Sequence, residues 1–227
     1  MARKVKTEQD KKKTKKRIII IVSVLIVLIG VAVAVWFLFF NKEEPKKVVQ
    51  VKELDNLSEY SYVLTDRDTE FYKSEFEVLK EIVNVEKVDE EKYATQVARM
   101  FTIDLYTMST KVNKNDIGGI EYIHKDGRDS FSKKVMYTLY DQMLDDTFGD
   151  RKQVLPEVNS LETVSTEKMD YSVLGNKQSC YLTKLKIGYV TDLKYDNNLS
   201  VVVCQEADTI KWGVVDFQPT LTPDYDE

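Results

Sequence analysis

His124 is the only histidine among 227 residues, so imidazole chemistry has one place to occur. It lies in Tyr122-Ile123-His124-Lys125-Asp126-Gly127, which reads as a strand running out into a loop. A general base needs an orienting acid and a pocket. A lone histidine in a polar loop is more often a surface residue, and that is the expectation here. A tetrahedral zinc site would have to recruit carboxylates to one histidine and two cysteines, and the spacing does not bring them together. No metal or other cofactor is expected.

Cys180 and Cys204 are the two thiols. If their strands pair across a turn at residues 192–198, position 180 falls opposite about 210, and 204 opposite about 186. That offset of six residues is about 20 Å at 3.3 Å per residue, whereas a disulfide spans about 4.4–6.8 Å between Cα atoms. Two separate half-buried thiols are the preferred reading, with a Cys180–Cys204 bridge as the alternative.

Asp66-x-Asp68-x-Glu70 alternates oxygen ligands as a calcium loop does, but Phe71 stands where such a loop needs glycine. Asp68 is read instead as the cap of the following helix. Asp89-Glu90-Glu91 and Asp145-Asp146 read as solvated acids. Phosphate-binding glycine loops, serine elbows and His-Glu-x-x-His are absent. No catalytic residue is assigned. The residues chosen for binding are Tyr122, His124, Gly118 and Gly119, because that segment joins the helical half of the chain to its strands.

Residues 18–40 contain no charged side chain. Twenty-three apolar residues are long enough to cross the roughly 30 Å hydrocarbon core of a bilayer as a helix, so a transmembrane signal anchor is expected. Residues 1–17 hold nine Lys and Arg against Glu8 and Asp10. This places the N-terminus in the cytoplasm and the C-terminal domain outside, in a single-pass plasma-membrane protein. Arg17 and Trp36 are the expected interface residues. The basic tail is expected to rest on anionic lipid headgroups. The formal net charge is −5, with the acidic excess all beyond residue 40. Nucleic acid is therefore an unlikely partner for the outer domain, and other membrane or envelope proteins are the expected partners.

The remainder divides into a polar stalk at 41–50, a domain at 51–218 and a flexible tail at 219–227. Tyr72, Phe76, Leu79 and Ile82 recur at helical spacing in 69–82. A second helix starts at Asp89 and carries the stripe Tyr93, Val97, Phe101, Leu105 and Met108, ending near Lys114. A third covers about 130–146, with Val135, Leu139 and Met143 facing inward. Strands follow at 161–174, 181–189, 199–205 and 210–217. In the second of these, Tyr181, Leu185, Ile187 and Tyr189 alternate with Lys184 and Lys186. Helices followed by antiparallel strands define an α+β fold with helices packed on a curved sheet.

That order, ending in Ile210-Lys211-Trp212-Gly213-Val214-Val215-Asp216, resembles the NTF2-like, or cystatin-like cone, domains over residues 69–218. With one N-terminal span and a short basic tail, the layout is similar to the VirB8-like components of conjugation and secretion systems. The resemblance implies a non-enzymatic docking or assembly component of a cell-envelope complex. The alternatives are a small-ligand-binding or sensing domain, and a hydrolase or isomerase using carboxylates in a cavity.

Overall fold

The computed structural model describes residues 21–36, 48 and 50–219, and two polar side chains start its helical half. Helix α1 covers residues 21–36 and is described below. The hairpin β1 (Glu53–Leu57) and β2 (Tyr62–Thr65) comes next. Helix α2 (Glu70–Val83) begins at Thr69, whose hydroxyl accepts from the Tyr72 N–H at 3.2 Å. Asp68 is not the cap. It accepts from the Thr65 N–H at 2.6 Å and the Thr65 hydroxyl at 2.9 Å, closing the turn before the helix.

Helix α3 (Glu90–Tyr106) begins at Asp89, which accepts from the Lys92 N–H at 3.1 Å. Two glutamates in its first turn suit the positive end of the helix dipole. The expected stripe is buried throughout. So are Ala94, Ala98, Met100 and Ile103, because α3 lies between α2 and the main sheet. It ends before Met108, whose N–H turns to the Pro156 carbonyl. Helix α4 (Arg128–Met136) is shorter than the expected 130–146. The Tyr140 N–H folds back to the Val135 carbonyl, and its buried ring sends the hydroxyl to the Leu105 carbonyl at 2.8 Å.

The main sheet is antiparallel and runs in sequence order: β3 (Val158–Val173), β4 (Asn176–Tyr189), β5 (Asn198–Gln205) and β6 (Trp212–Pro219). Tyr181, Thr183, Leu185 and Ile187 of β4, and Leu199, Val201 and Val203 of β5, are buried, facing the helices. Bulges interrupt β3 and the β5–β6 ladder. Bulges bend strands. Tyr171 on β3 donates to Asp216 on β6 at 3.2 Å. Three strand spacings would separate them by about 14 Å in a flat sheet, so the end of the β3–β4 hairpin curls over towards β6.

The thiol reading is corrected. Cys180 and Cys204 form a disulfide with Cα atoms 4.4 Å apart. The sequence reading placed the β4–β5 turn too far along the chain. The Ile187 N–H bonds the Asn197 carbonyl, so β4 runs two residues beyond its pairing with β5, and the connection folds on itself by Tyr189 donating to the Asp196 carbonyl at 2.7 Å. The connection is centred near residue 192 rather than 195, which moves each partner by six positions and brings Cys180 opposite Cys204.

The chain divides into two units, Met1–Lys47 and Val48–Glu227. In the first, α1 covers residues 21–36. No helix among the described residues is long and apolar enough to cross a membrane. This overturns the transmembrane helix in the expected fold and the single-pass plasma-membrane placement built on it; Trp36 lies in α1. Arg17 and the basic tail lie outside the described residues, as do residues 220–227.

The disulfide closes a separation of 24 residues, and both cysteines are fully buried. Replacing both by alanine is expected to cost about 3 kcal/mol in urea unfolding, from loop entropy. A loss below about 1 kcal/mol would show that the packed sheet alone fixes this register.

Candidate functional site

One buried acid organises the first site. Asp104 stands on α3 with a side chain 14% exposed, and pairs with the ammonium of Lys111. Its other oxygen accepts from the Gly119 N–H at 2.5 Å. The chain can come this close because of Gly118, where a Cβ would lie 2.1 Å from the Asp104 carbonyl oxygen. Gly119 takes φ +77, a left-handed conformation that favours glycine.

Glu121 follows in a 3-10 turn over Ile120–Tyr122. Its carboxylate accepts from the Val63 N–H and the Tyr72 hydroxyl, each at 3.2 Å. Burial raises its pKa, and the facing charge of Asp104 adds to this, against hydrogen bonds from Tyr122, Val63 and Tyr72; the result is about 7. Burial also raises Asp68, with Asp104 contributing in the same direction. For Lys111, burial favours the neutral amine, but Asp104, Tyr140 and Asp116 outweigh it and hold the ammonium above its ordinary range. Arg67 reaches Asp116 at 3.7 Å, too far for a hydrogen bond, and its buried Nη1 has no hydrogen-bond partner. These groups surround a cavity of about 200 Å³.

The same segment supplies the second site. The Ile123–Val214 bridge and the His124 N–H, which donates to the Val214 carbonyl at 2.9 Å, fasten the segment to the free edge of β6. Gly213 permits this, since a Cβ there would lie 2.6 Å from the His124 Cα. His124 is therefore buried, at 5% exposure, which corrects the surface-loop expectation. Its Nδ1 accepts from the Asp126 N–H at 3.4 Å and caps the next 3-10 turn. Beside it opens a groove of about 350 Å³. Ile123, Phe131, Val214 and Phe217 contribute apolar surface, and the β3–β4 hairpin end, Tyr171–Leu174, forms the opposite wall.

The chosen residues are thus divided between two sites. Gly118, Gly119 and Tyr122 support the charged cavity, with the Tyr122 and Tyr72 hydroxyls 2.7 Å apart. His124 lines the groove. Sequence reasoning missed Arg67, Asp104, Lys111 and Glu121. One signal was available: Asp104 is the sole charge between Arg99 and Lys111 in an otherwise uncharged helical run. Among the described residues, no group of three or more His, Cys, Asp or Glu side chains is arranged to hold a metal ion. Comparison of the chain with protein-family models, curated proteins and solved structures finds no match.

With Glu121 raised from 4.5 to about 7, the folded protein keeps a proton that the unfolded chain releases. The associated stability, about 3 kcal/mol, is present below the unfolded pKa and is lost as pH rises through about 7. Asp104 and Lys211 are the charged groups coupled to Glu121, and Arg67, Asp68 and Lys111 line the same cavity. Glu121→Gln leaves these in place and fixes the side chain as neutral. Urea unfolding from about pH 4 to pH 8 is expected to show the variant more stable than the wild type at the alkaline end, with the gap closing at the acid end. Parallel pH profiles for the two proteins would refute the buried proton.

Proposed function

We propose that this protein works by binding rather than by catalysis, as a docking component of a larger assembly, and that a partner protein places an apolar side chain in the His124 groove. The observation that carries the reading is Leu174. It occupies the tip of the β3–β4 hairpin at 78% exposure and has φ +49, followed by Gly175 at φ +84. Two-residue hairpin loops with positive φ at both positions favour Asn-Gly or Asp-Gly. A branched apolar residue there costs conformational energy, of order 1–3 kcal/mol, and gains no burial in return. An exposed leucine beside an apolar groove is the kind of surface that marks a protein–protein contact.

The tip is also backed by packing. Met169, Tyr171 and Val173 lie against the buried disulfide, Val202 and Val215, so Leu174 is presented from a supported hairpin. The NTF2-like layout belongs to this proposal and is supported by the order of helices and strands alone. A second reading, a small amphipathic ligand in the same groove, is favoured by its volume of about 350 Å³, within the range of about 300–1,000 Å³ usual for ligand sites.

Leu174→Asn separates stability from function. Asparagine tolerates the left-handed turn, so thermal unfolding should rise by a few degrees, corresponding to about 0.5–1 kcal/mol. Affinity capture with the full chain should then lose a partner that the wild type retains. If both proteins recover the same partners, the docking reading fails. If His124→Ala leaves the fold intact and abolishes a measurable turnover, the protein is an enzyme.

A further inference from the structure

The charged cavity between α2, α3 and the Ile117–Glu121 segment has no part in the docking reading, and its unsatisfied groups define a ligand. Its lining includes Arg67, Asp68, Asp104, Lys111, Asp116 and Glu121. Most of their bonding capacity is used internally. Asp104 holds Lys111 and the Gly119 N–H. Asp116 takes the Val112 N–H at 2.9 Å, and Asp68 takes both groups of Thr65.

Two needs remain. The first is an acceptor for Arg67 Nη1, a buried charged donor without a hydrogen bond. Its nearest counter-charge, Asp116, stands 3.7 Å away, and a buried charged donor without a hydrogen bond is costlier than a neutral one and calls for an explanation. The second is positive charge. Four carboxyl groups face two cations, and burial, with the charge of Asp104 adding to it, makes Asp68 and Glu121 hold protons more tightly than usual. A bare cation would answer only the second need, and an anion only the first. The cavity of about 200 Å³ admits a molecule of a few heavy atoms.

We propose that this cavity binds a small primary ammonium compound carrying a neutral acceptor oxygen close to the nitrogen, of the amino-alcohol or amino-amide class. The ammonium lies between Asp68 and Glu121, and the oxygen accepts from Arg67 Nη1. A zwitterionic amino acid fits less well, since its carboxylate cancels the charge the cavity lacks.

The test is calorimetric titration of the full chain with four probes: ethanolamine, ethylamine, glycine and acetate. Ethanolamine should bind, ethylamine about tenfold more weakly for want of the acceptor, glycine more weakly than ethanolamine, and acetate not at all. Arg67→Met should abolish the preference for ethanolamine over ethylamine while both still bind. Glu121→Gln should weaken both amines about equally. Near-ultraviolet circular dichroism verifies that each variant is folded. The proposal is overturned if no amine binds, in which case water alone satisfies Arg67. It is equally overturned if acetate binds as well as the amines, or if the hydroxyl preference survives in Arg67→Met. None of these outcomes depends on the His124 groove, so this inference and the docking reading fail separately.

Discussion

The carboxylate of Asp104 is the charge around which this domain is arranged. A helix buried on nearly all sides carries one acid in its C-terminal turn, and that acid needs partners at hand. Lys111 supplies the counter-charge, and the Gly119 N–H supplies a neutral hydrogen bond. Both lie in the chain directly after α3, so satisfying Asp104 dictates how the chain leaves the helix. It must fold back at once and bring residues 118–119 against the helix end. Removing either member of such a pair typically costs 3–5 kcal/mol, because the other is left charged and buried. The same charge raises the pKa of Glu121, Asp68 and Tyr72 in addition to their burial. One interaction therefore fixes both the course of the backbone and the protonation of the cavity beside it.

Aromatic rings carry this arrangement into the sheet. Tyr62 stacks on Tyr122 with centroids 4.8 Å apart, and the Tyr62 and Tyr93 hydroxyls are 3.0 Å apart. Burial raises the pKa of all three phenols, so they are neutral hydrogen-bonding groups at ordinary pH. Lys211, from the loop before β6, lies over the Tyr62 ring at 4.3 Å and donates to the Tyr60 carbonyl at 2.5 Å. Burial lowers it, with Arg128 assisting against Glu206 and Glu121, to about 8. A cation–π contact in a desolvated place is worth about 2 kcal/mol. These contacts fasten the β1–β2 hairpin to the main sheet, where apolar packing alone would leave polar ends unpaired.

The helices were legible because each turns a periodic apolar face inward, although α3 buries its other side as well, between α2 and the sheet. Tyr72, Phe76 and Leu79, or Tyr93, Val97 and Phe101, must then repeat at helical spacing. Alternation in β4 was legible for the same reason. The disulfide was not. Its register depends on where the β4–β5 connection is centred, and the contacts that fold that connection, such as the Tyr189 and Tyr195 rings 6.4 Å apart, have no periodic signature. The α4 boundary was lost to Tyr140, whose inward hydroxyl overrides the continuing stripe. The apolar run at 18–40 gave a strong hydropathy signal for a span; its described residues, 21–36, are helical, and no helix among the described residues is long and apolar enough to cross a membrane. At the candidate sites, the Gly118–His124 neighbourhood was visible as the junction of helices and strands. The charges that act with it come from Arg67, Asp68 and Asp104, distant in sequence, and only the fold assembles them.

Folding needs do not account for what has been assembled. A buried ion pair is often no better than well-packed apolar residues of the same volume, and replacing one can be neutral or stabilising. A cavity ringed by six acidic and basic side chains, with one guanidinium nitrogen lacking a hydrogen bond, is therefore a poor solution for stability alone. The same holds at the hairpin tip, where an asparagine would suit the turn better than Leu174. In a chain whose caps, stripes and strand alternation otherwise agree with one another, local departures of this kind concentrate where function requires them. Here both departures border cavities, and both cavities share the wall formed by Ile117–His124. That shared wall is held rigidly, by Asp104 at one end and by the Val214 carbonyl at the other. Rigidity of this kind is what a binding surface requires, since affinity depends on presenting its groups already in place.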